Sequence, residues 1–347
     1  MTSHNILILG SSYGLLPGVK LALAGHGVTF VGRPEEAATL TNGELNVRIP
    51  MRDEGEYALL RTRAAQFRSP PEADPEAADL VILAMQEPQL AAPEVTQLMR
   101  RIARSRRPCL SLMNLPPPAF LKRLGIGGEA LEGVYTSLAA WEDFDPGKCS
   151  NASPDPQALR MNPEEPGELT VTLASNFKAA PFEDSADQHL LAQIARDLSR
   201  VRVEVGGKRV APPVRMLAHS SLRIPLVKWP MLIAGNSRCL TVGGIRTIAE
   251  AVHDDPAASR RIYEQVVTII RSLGTSAEIV VPFEQYQKAT AQLVRPSSAA
   301  RAIASGASQV ERIDRLVLNL ARTHATASDE LEEIHNAIED RLRANRA

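Results

Sequence analysis

One lysine in an apolar setting is the side chain best suited to acid–base chemistry. Lys228 lies between "LRIPLV" and "WPMLIAG", and apolar surroundings disfavour a charged ammonium group and lower its pKa toward neutrality. Such a lysine can donate its proton to a carbonyl oxygen on which negative charge develops, and regain one from water. The alternative is that Lys228 extends along an apolar surface to solvent. Pro230 removes an amide donor just beyond it, which predicts that a helix begins or bends there.

A glycine-containing turn near the N-terminus is the second candidate. In "ILILGSSYGLLPGVKLALAGHGVTFVGR" (6–33), two apolar runs flank a helical stretch, which is the βαβ order of a dinucleotide-binding domain. Gly10 can serve as the first glycine of the G-x-G-x-x-G fingerprint and Gly14 as the third, if the turn is one residue shorter. The Cβ of Ser12 crowds the position nearest the phosphates, but its hydroxyl and the helix N-terminal amides can still bind an anion. The cofactor-binding residues predicted in this turn are Gly10, Ser11, Ser12, Tyr13 and Gly14.

Arg33 ends the second apolar run, where NAD-specific enzymes carry an acidic residue that binds the ribose hydroxyl. An arginine at this position suits the 2′-phosphate of NADP. The alternative is an ordinary surface arginine at the end of a strand. With "LALAGHGVTFVGR" around it, we favour NADP(H) as the cofactor.

The first half of the chain alternates strand-like and helix-like segments, which predicts a mostly parallel sheet. Four apolar runs without alternation are expected to be strands covered on both faces: 5–9, 28–32, 79–85 and 109–113. Two shorter, alternating segments, 169–174 and 201–205, are expected to extend that sheet as antiparallel strands.

From about Met216 the periodicity is helical, with almost no strand pattern. We therefore predict an α/β fold, with a Rossmann-type dinucleotide-binding domain at 1–210 followed by an all-helical domain at 211–347 for substrate binding or dimerisation. "GGKRVAPPV" (206–214) is interpreted as the junction, because glycine and proline favour loops.

Composition restricts the class of protein. The 347 residues suit two domains, and 44% hydrophobic with 23% charged residues is typical of a globular protein. A net charge of −1 argues against a nucleic-acid or anionic-membrane partner, and "RRIARSRR" (100–107) is interpreted as a solvated helix end. No apolar run reaches the ~20 residues of a membrane helix, and no signal peptide begins the chain, so the cytoplasm is expected.

Neither the cysteines nor the histidines predict a metal site. The three cysteines have no C-x-x-C spacing, and the seven histidines have no H-x-x-x-H spacing. A disulfide framework is not expected either. The cysteines are Cys109, Cys149 and Cys239.

Over nearly its whole length the chain resembles the ketopantoate reductase (2-dehydropantoate 2-reductase) family. "LALAGHGVTFVGR" is similar to that family's first helix and second strand, and "DLVILAMQEPQ" to a strand that ends in a Lys-x-x-Gln-type motif. "LSLMN" resembles the strand that delivers an asparagine, and "LVKWPMLIAGN" the helix that carries the catalytic lysine. "RPSSAARAIASGASQVERID" resembles the segment with a substrate-binding serine and glutamate.

The resemblance implies NADPH-dependent reduction of a 2-oxo acid to a 2-hydroxy acid, with Lys228 as the catalytic residue. It implies that Gln86 and Asn114 contact the cofactor. The implied substrate-binding residues are Asn236, Ser298 and Glu311. A homodimer is expected only by analogy with the fold.

Three of the implied roles have structural alternatives. Asn114 could simply cap a loop, and Ser298 could be the N-cap of a helix that begins in "RPSSAA". Glu311 could be a solvated helix residue.

The chain departs from the family pattern at functional positions. Gln86 replaces a cofactor-contacting lysine, Leu232 replaces a second asparagine, and Ala302 replaces an aspartate. Glu311 lies one residue later than the family spacing, with Val310 at the strict position. Two other functions therefore stay open: a reductase of the same fold acting on a different 2-oxo acid or an imine, and a non-catalytic nucleotide-binding paralogue.

Overall fold

A computed structural model describes residues 2–40, 43–51, 56–153, 158–162, 164–241 and 243–347. Its strands are β1 (Asn5–Leu9), β2 (Gly27–Val31), β3 (Leu45–Pro50), β4 (Tyr57–Thr62), β5 (Ala65–Arg68), β6 (Leu80–Leu83), β7 (Cys109–Ser111), β8 (Cys149–Ser153), β9 (Ala158–Leu159), β10 (Glu168–Val171), β11 (Ser175–Ala179), β12 (Val203–Val205), β13 (Lys208–Val210), β14 (Val214–Ala218), β15 (Leu240–Thr241) and β16 (Gly244–Ile245). Its helices are α1 (Leu15–Leu23), α2 (Pro34–Leu40), α3 (Pro93–Ser105), α4 (Pro118–Arg123), α5 (Ser185–Arg200), α6 (Trp229–Ala234), α7 (Ile248–His253), α8 (Pro256–Ser272), α9 (Phe283–Thr290), α10 (Ser298–Ala304), α11 (Ile313–Thr323) and α12 (Asp329–Arg346).

The main sheet has eight strands in the order β14-β11-β8-β7-β6-β1-β2-β5. The six strands from β8 to β5 are parallel, and β11 joins β8 antiparallel. Running outward from β1 to β2 and β5, and from β1 to β6, β7 and β8, is the strand order of a doubly wound dinucleotide-binding sheet. All four residues of β6 are buried, as expected for a strand covered on both faces.

Helix α1 is covered by protein on two sides. It packs on β2 of the main sheet and on β3 and β4 of a second sheet, whose order is β4-β3-β10-β9. Every residue from Leu15 to Leu21 is buried. Even Lys20 is enclosed, and its ammonium group donates to the carbonyl oxygens of Pro212, at 3.3 Å, and Val214. The bond to Val214 connects α1 to β14.

Two strand predictions were wrong in their pairing. Strand β10 lies in the second sheet, parallel to β3, and β12 forms an antiparallel hairpin with β13. The main sheet is extended by β11 and β14 instead. Segment 206–214, interpreted as an interdomain loop, contains β13 and leads into β14. Alternation alone shows that a segment is half-buried, but not which sheet buries it.

The basic stretch 100–107 contains the end of α3, and its arginines also bind neighbouring segments. Arg101 donates to the carbonyl oxygens of Ala73 and Pro70, at 2.6 and 2.5 Å. Arg106 ends the helix in the left-handed conformation, with φ of 52°, and pairs with Asp145 at 2.9 Å. These arginines therefore have structural contacts that a solvated helix face would not require.

By its internal packing the chain divides into a first unit, 1–123 with 137–222, and a second unit, 124–136 with 223–347. The second unit is helical; its strands within the described residues are the two-residue β15 and β16. In it α6 packs on α8, and α11 packs on α6, α8 and α12. The assignment of nucleotide binding to residues 1–210, and of substrate binding or dimerisation to residues 211–347, stays a prediction.

Candidate functional site

The turn after β1 has the tight geometry that a dinucleotide-binding turn requires. Gly10 has a φ of +106°, which L side chains rarely adopt, and its amide donates to the carbonyl oxygen of Val31 at 2.8 Å. A Cβ on Gly14 would lie 2.2 Å from the carbonyl oxygen of Gly10 and 2.7 Å from Cγ2 of Ile8. These contacts support the interpretation of Gly10 as the bend glycine and of Gly14 as the glycine of close helix–strand packing.

The turn also presents backbone donors at the N-terminus of α1. The amides of Ser12, Tyr13 and Gly14 donate to no other residue in the part of the chain that the structure describes. The side chain of Ser12 is exposed, and α1 has no acidic residue in its first turn. A helix N-terminus with open amides attracts an anion such as a pyrophosphate. The turn therefore fits a dinucleotide, although Ser12 keeps its Cβ where the fingerprint has glycine.

The side chains of Ser11 and Tyr13 have contacts within the protein. Ser11 is buried, and its hydroxyl donates to Oε2 of Glu36 at 2.6 Å. The Tyr13 ring meets the Phe177 ring edge-on at 6.4 Å, and burial raises the pKa of its phenol well above 10. Cofactor contact by Ser11 and Tyr13 stays a prediction.

Arg33 is exposed, with 77% of its side chain accessible, and it forms an ion pair of 3.3 Å with Oε1 of Glu36. Desolvation would raise the pKa of Glu36, but hydrogen bonds from Ser11, Arg160 and Arg33 hold that pKa below its usual value. Glu36 is therefore ionised at neutral pH. The end of β2 thus carries both an arginine and a carboxylate.

Arg160 was missed by the sequence analysis. One of its amino groups donates to Oε1 of Glu36 at 2.8 Å, and the other donates to the carbonyl oxygens of Ser11 at 3.2 Å and Pro166 at 3.1 Å. Only 16% of its side chain is accessible. No local pattern indicated Arg160, because it comes from a distant part of the chain. Glu36 had a weak signal, as an acidic residue three positions after Arg33.

Gln86 and Asn114 follow the carboxyl ends of β6 and β7. Since β7, β6, β1 and β2 are parallel neighbours, these residues share one sheet edge with the Gly10 turn and Arg33. Gln86 is exposed, and its backbone N–H donates to Oε1 of Gln89 at 2.9 Å. Asn114 is half-buried. Ligands of doubly wound sheets bind at this edge, so the topology supports the predicted placement.

Lys228 is the last residue of a 3₁₀ helix, Ile224–Lys228, and it directly precedes α6. Pro230 is the second residue of α6, so the predicted helix start at this proline is confirmed. Lys228 as a whole residue is half-buried. Burial of its ammonium group lowers the pKa to about 8, from the ordinary 10.5. The geometry therefore does not place this ammonium in bulk solvent.

The other residues implied for substrate binding lie in the second unit with Lys228. Asn236 is half-buried at the start of a 3₁₀ helix, Asn236–Cys239. The hydroxyl of Ser297 donates to the carbonyl oxygen of Asn236 at 2.9 Å and accepts from the amide of Ala300 at 3.2 Å. Ser297 is therefore the N-cap of α10, and the alternative interpretation of Ser298 as that cap was wrong. Ser298 is the exposed first residue of α10.

Glu311 is half-buried and precedes α11, so it is not a solvated helix residue. Its neighbour Arg312 is buried and forms a bidentate pair with Asp314, at 3.0 and 2.9 Å, and a further bond of 2.5 Å to Glu339. These bonds connect the segment between α10 and α11 to α12. Val310, at the family's strict position, is buried.

Within the described residues no group of three or more histidine, cysteine, aspartate or glutamate side chains is arranged to hold a metal ion. All three cysteines are free thiols, and all are buried. None of the helices in the described ranges combines the length and the apolar character needed to cross a membrane.

Solved structures match this chain over nearly its whole length. A ketopantoate reductase from Ralstonia eutropha covers 99% of this chain and 100% of its own, with a TM-score of 0.68 and 16% identity. D-mandelate dehydrogenase, in a ternary structure with NADH and anilino(oxo)acetate, covers 99% of both chains with a TM-score of 0.66 and 14% identity. The chain has the ketopantoate reductase fold. The predicted fold class is therefore confirmed.

A third protein of the ketopantoate reductase fold is the dimeric ketopantoate reductase of Staphylococcus aureus, with 11% identity, a TM-score of 0.59 and coverage of 98% and 99% of the two chains. No family model matches this chain, and no curated protein matches its sequence. At such identities the likeness establishes the ketopantoate reductase fold and leaves the activity to be argued from the residues.

Proposed function

We propose that this protein catalyses the NADPH-dependent reduction of a 2-oxo acid to a 2-hydroxy acid, of the ketopantoate-to-pantoate type. The observation that carries the proposal is the position of Lys228, between the 3₁₀ helix Ile224–Lys228 and α6, where burial lowers the pKa of its ammonium group to about 8. Its stretch "LVKWPMLIAGN" resembles the helix that carries the catalytic lysine in the ketopantoate reductase family. The NADH-bound neighbour with an oxoacetate ligand supports a nicotinamide cofactor and a 2-oxo acid substrate.

A bound reduced nicotinamide would supply the hydride that the 2-oxo carbon of the substrate receives. Negative charge then develops on the carbonyl oxygen, and the Lys228 ammonium stabilises it and donates a proton. A pKa of about 8 leaves most of the lysine protonated at neutral pH, while making its proton easier to transfer than that of an exposed lysine. Asn236, Ser298 and Glu311 are proposed to bind the substrate.

The turn at Gly10–Gly14 is proposed to hold the pyrophosphate through the open amides at the N-terminus of α1. Arg33 is proposed to bind the 2′-phosphate, and Gln86 and Asn114 to contact the nicotinamide half from their positions at the same sheet edge. The Arg33→Gln variant should weaken NADPH binding by about tenfold and leave NADH binding nearly unchanged. Quenching of the intrinsic fluorescence of Trp141 and Trp229 measures both affinities.

A panel of 2-oxo acids, with consumption of NADPH as the readout, tests the reaction. Turnover of ketopantoate, and its loss in the Lys228→Ala variant with NADPH affinity retained, is the expected result. Binding of NADPH without turnover of any member would favour the non-catalytic paralogue instead, and equal activity in Lys228→Ala would remove the lysine from the mechanism.

A second candidate keeps the fold and the cofactor and changes the substrate to another 2-oxo acid or an imine. It is favoured by Leu232, which is buried with 8% exposure where the family carries an asparagine. A buried apolar side chain in place of an amide favours a less polar substrate. Turnover of aromatic or branched 2-oxo acids in preference to ketopantoate would select this candidate.

We further propose that the protein works as a homodimer in the cytoplasm. The dimeric neighbour from Staphylococcus aureus supports this assembly. Light scattering during size-exclusion chromatography tests it, since the chain mass is 37.6 kDa. A single species at that mass would exclude the dimer under the conditions used.

A further inference from the structure

The end of β2 carries a carboxylate that the proposed function does not use. Glu36 lies in the first turn of α2, and its two oxygens accept three side-chain hydrogen bonds. Oε2 accepts from the Ser11 hydroxyl at 2.6 Å, while Oε1 accepts from Arg160 at 2.8 Å and from Arg33 at 3.3 Å. The guanidinium groups of Arg33 and Arg160 are therefore both paired with Oε1 of Glu36.

Glu36 is built into the turn and does not merely lie on the surface. Only 15% of its side chain is accessible. A Cβ on Gly32 would lie 2.9 Å from Oγ of Ser11 and 3.2 Å from Oε2 of Glu36, so the absence of a side chain at residue 32 leaves space for this contact. Arg160 fixes the other side, because it also binds the carbonyl oxygen of Ser11 at 3.2 Å.

A 2′-phosphate and the Glu36 carboxylate would compete for the same donors. The phosphate of NADP(H) needs cationic or hydroxyl donors at this position, and the carboxylate would repel it. The ribose of NAD(H) carries a hydroxyl there instead, which can donate to a carboxylate. The Glu36 side chain thus opposes the binding of NADP(H) and favours the binding of NAD(H).

We propose that Glu36 is a specificity-determining residue: it competes with the 2′-phosphate for Arg33, and so reduces the preference for NADP(H) over NAD(H) that Arg33 alone would produce. The inference rests on the proposed dinucleotide site. It assigns to Arg160 the role of holding the competing carboxylate in place, a role that no local sequence pattern indicates.

The test compares NADP⁺ and NAD⁺ binding by isothermal titration calorimetry in the wild type and in Glu36→Gln. Glutamine has the same size and can still accept from Ser11, but it carries no charge. We expect NADP⁺ to bind on the order of tenfold more tightly and NAD⁺ to bind equally or more weakly. Glu35→Gln is the matched control: it makes the same charge change at the exposed neighbouring residue and should leave the ratio of affinities near that of the wild type.

Three results would overturn the inference. An unchanged NADP⁺/NAD⁺ ratio in Glu36→Gln, with both cofactors still bound, would refute the role of Glu36 and leave the proposed function intact. An equal shift in Glu35→Gln would assign the effect to net charge. Absence of binding of either cofactor to the wild type would refute the proposed function itself. Should Glu36→Gln fail to fold by circular dichroism, Glu36→Asp, which withdraws the charge by one methylene, must shift the ratio in the same direction.

Discussion

The carbonyl oxygen of Gly10 faces the α-carbon of Gly14 so closely that a methyl group on Gly14 would lie 2.2 Å from it. Both partners are backbone atoms, so neither can rotate away. Helix α1 and the end of β1 can approach each other in this way only while residue 14 has no side chain.

Gly14→Ala is therefore expected to destabilise the protein by roughly 1–3 kcal/mol, because α1 must move away from β1. The shift would also displace the open amides of the turn and weaken NADPH binding. Urea unfolding measures the first effect and fluorescence quenching the second. Gly127→Ala is the control, since Gly127 has extended backbone and a Cβ there meets nothing within 4 Å. Equal stability of the two variants would contradict this account of the turn.

Activity should decrease as the pH rises through about 8. The protonated form of Lys228 is the proton donor, and burial lowers its pKa to about 8, so the active form is complete below that pH and lost above it. In Lys228→Arg, any residual activity should show no such decrease, because a guanidinium stays charged up to a pH of about 12. The initial rate of NADPH consumption as a function of pH is the measurement.

Lys20 needs a separate control because its pKa is also lowered to about 8, first by burial and then by Arg202 and Arg215. It belongs to the packing of α1, and it is not placed in the reaction. A Lys20→Gln variant that folds should keep the pH profile of the wild type. A profile that changes with Lys20 and not with Lys228 would contradict the assignment.

Adjacent serines at the start of α10 should separate stability from activity. Ser297→Ala removes the N-cap bond to the Ala300 amide and the bond to the Asn236 carbonyl, and we expect a loss of roughly 1–2 kcal/mol in the free energy of unfolding. Ser298→Ala changes an exposed side chain and should alter stability by less than about 0.5 kcal/mol. Since Ser298 is the proposed substrate ligand, its variant should instead lower kcat/KM. If Ser297→Ala lowered kcat/KM and Ser298→Ala lowered stability instead, Ser298 would be the cap and Ser297 the substrate ligand.

Thiol reagents should distinguish the native from the unfolded protein. Burial raises the pKa of Cys149 to about 12 and that of Cys109 well above 9. Cys239 is fully buried and has a raised pKa as well. A thiol reacts as its thiolate, so an aromatic disulfide reagent should label no cysteine in the folded protein and three in denaturant. Rapid labelling of any native cysteine would show that its surroundings open.

Much of the site was determined by local sequence. The bend at Gly10, the close packing at Gly14 and the helix start at Pro230 depend on backbone restrictions of single residue types, which act within a few positions of the chain. The sequence neighbours of Lys228 are apolar, and its pKa is lowered as such a setting predicts. The unbroken apolar runs of β1 and β6 likewise predicted strands covered on both faces.

Only the tertiary structure decided which distant groups meet. Arg160 reaches Ser11 across 149 positions of sequence, and no periodicity encodes such a contact. The choice of Ser297 over Ser298 as the cap depends on the Asn236 carbonyl that lies beside it. Strand β10 could join either sheet by its alternation, and only the structure shows that it pairs with β3. Backbone preferences act locally, whereas hydrogen bonds and burial depend on positions that the whole fold must first establish.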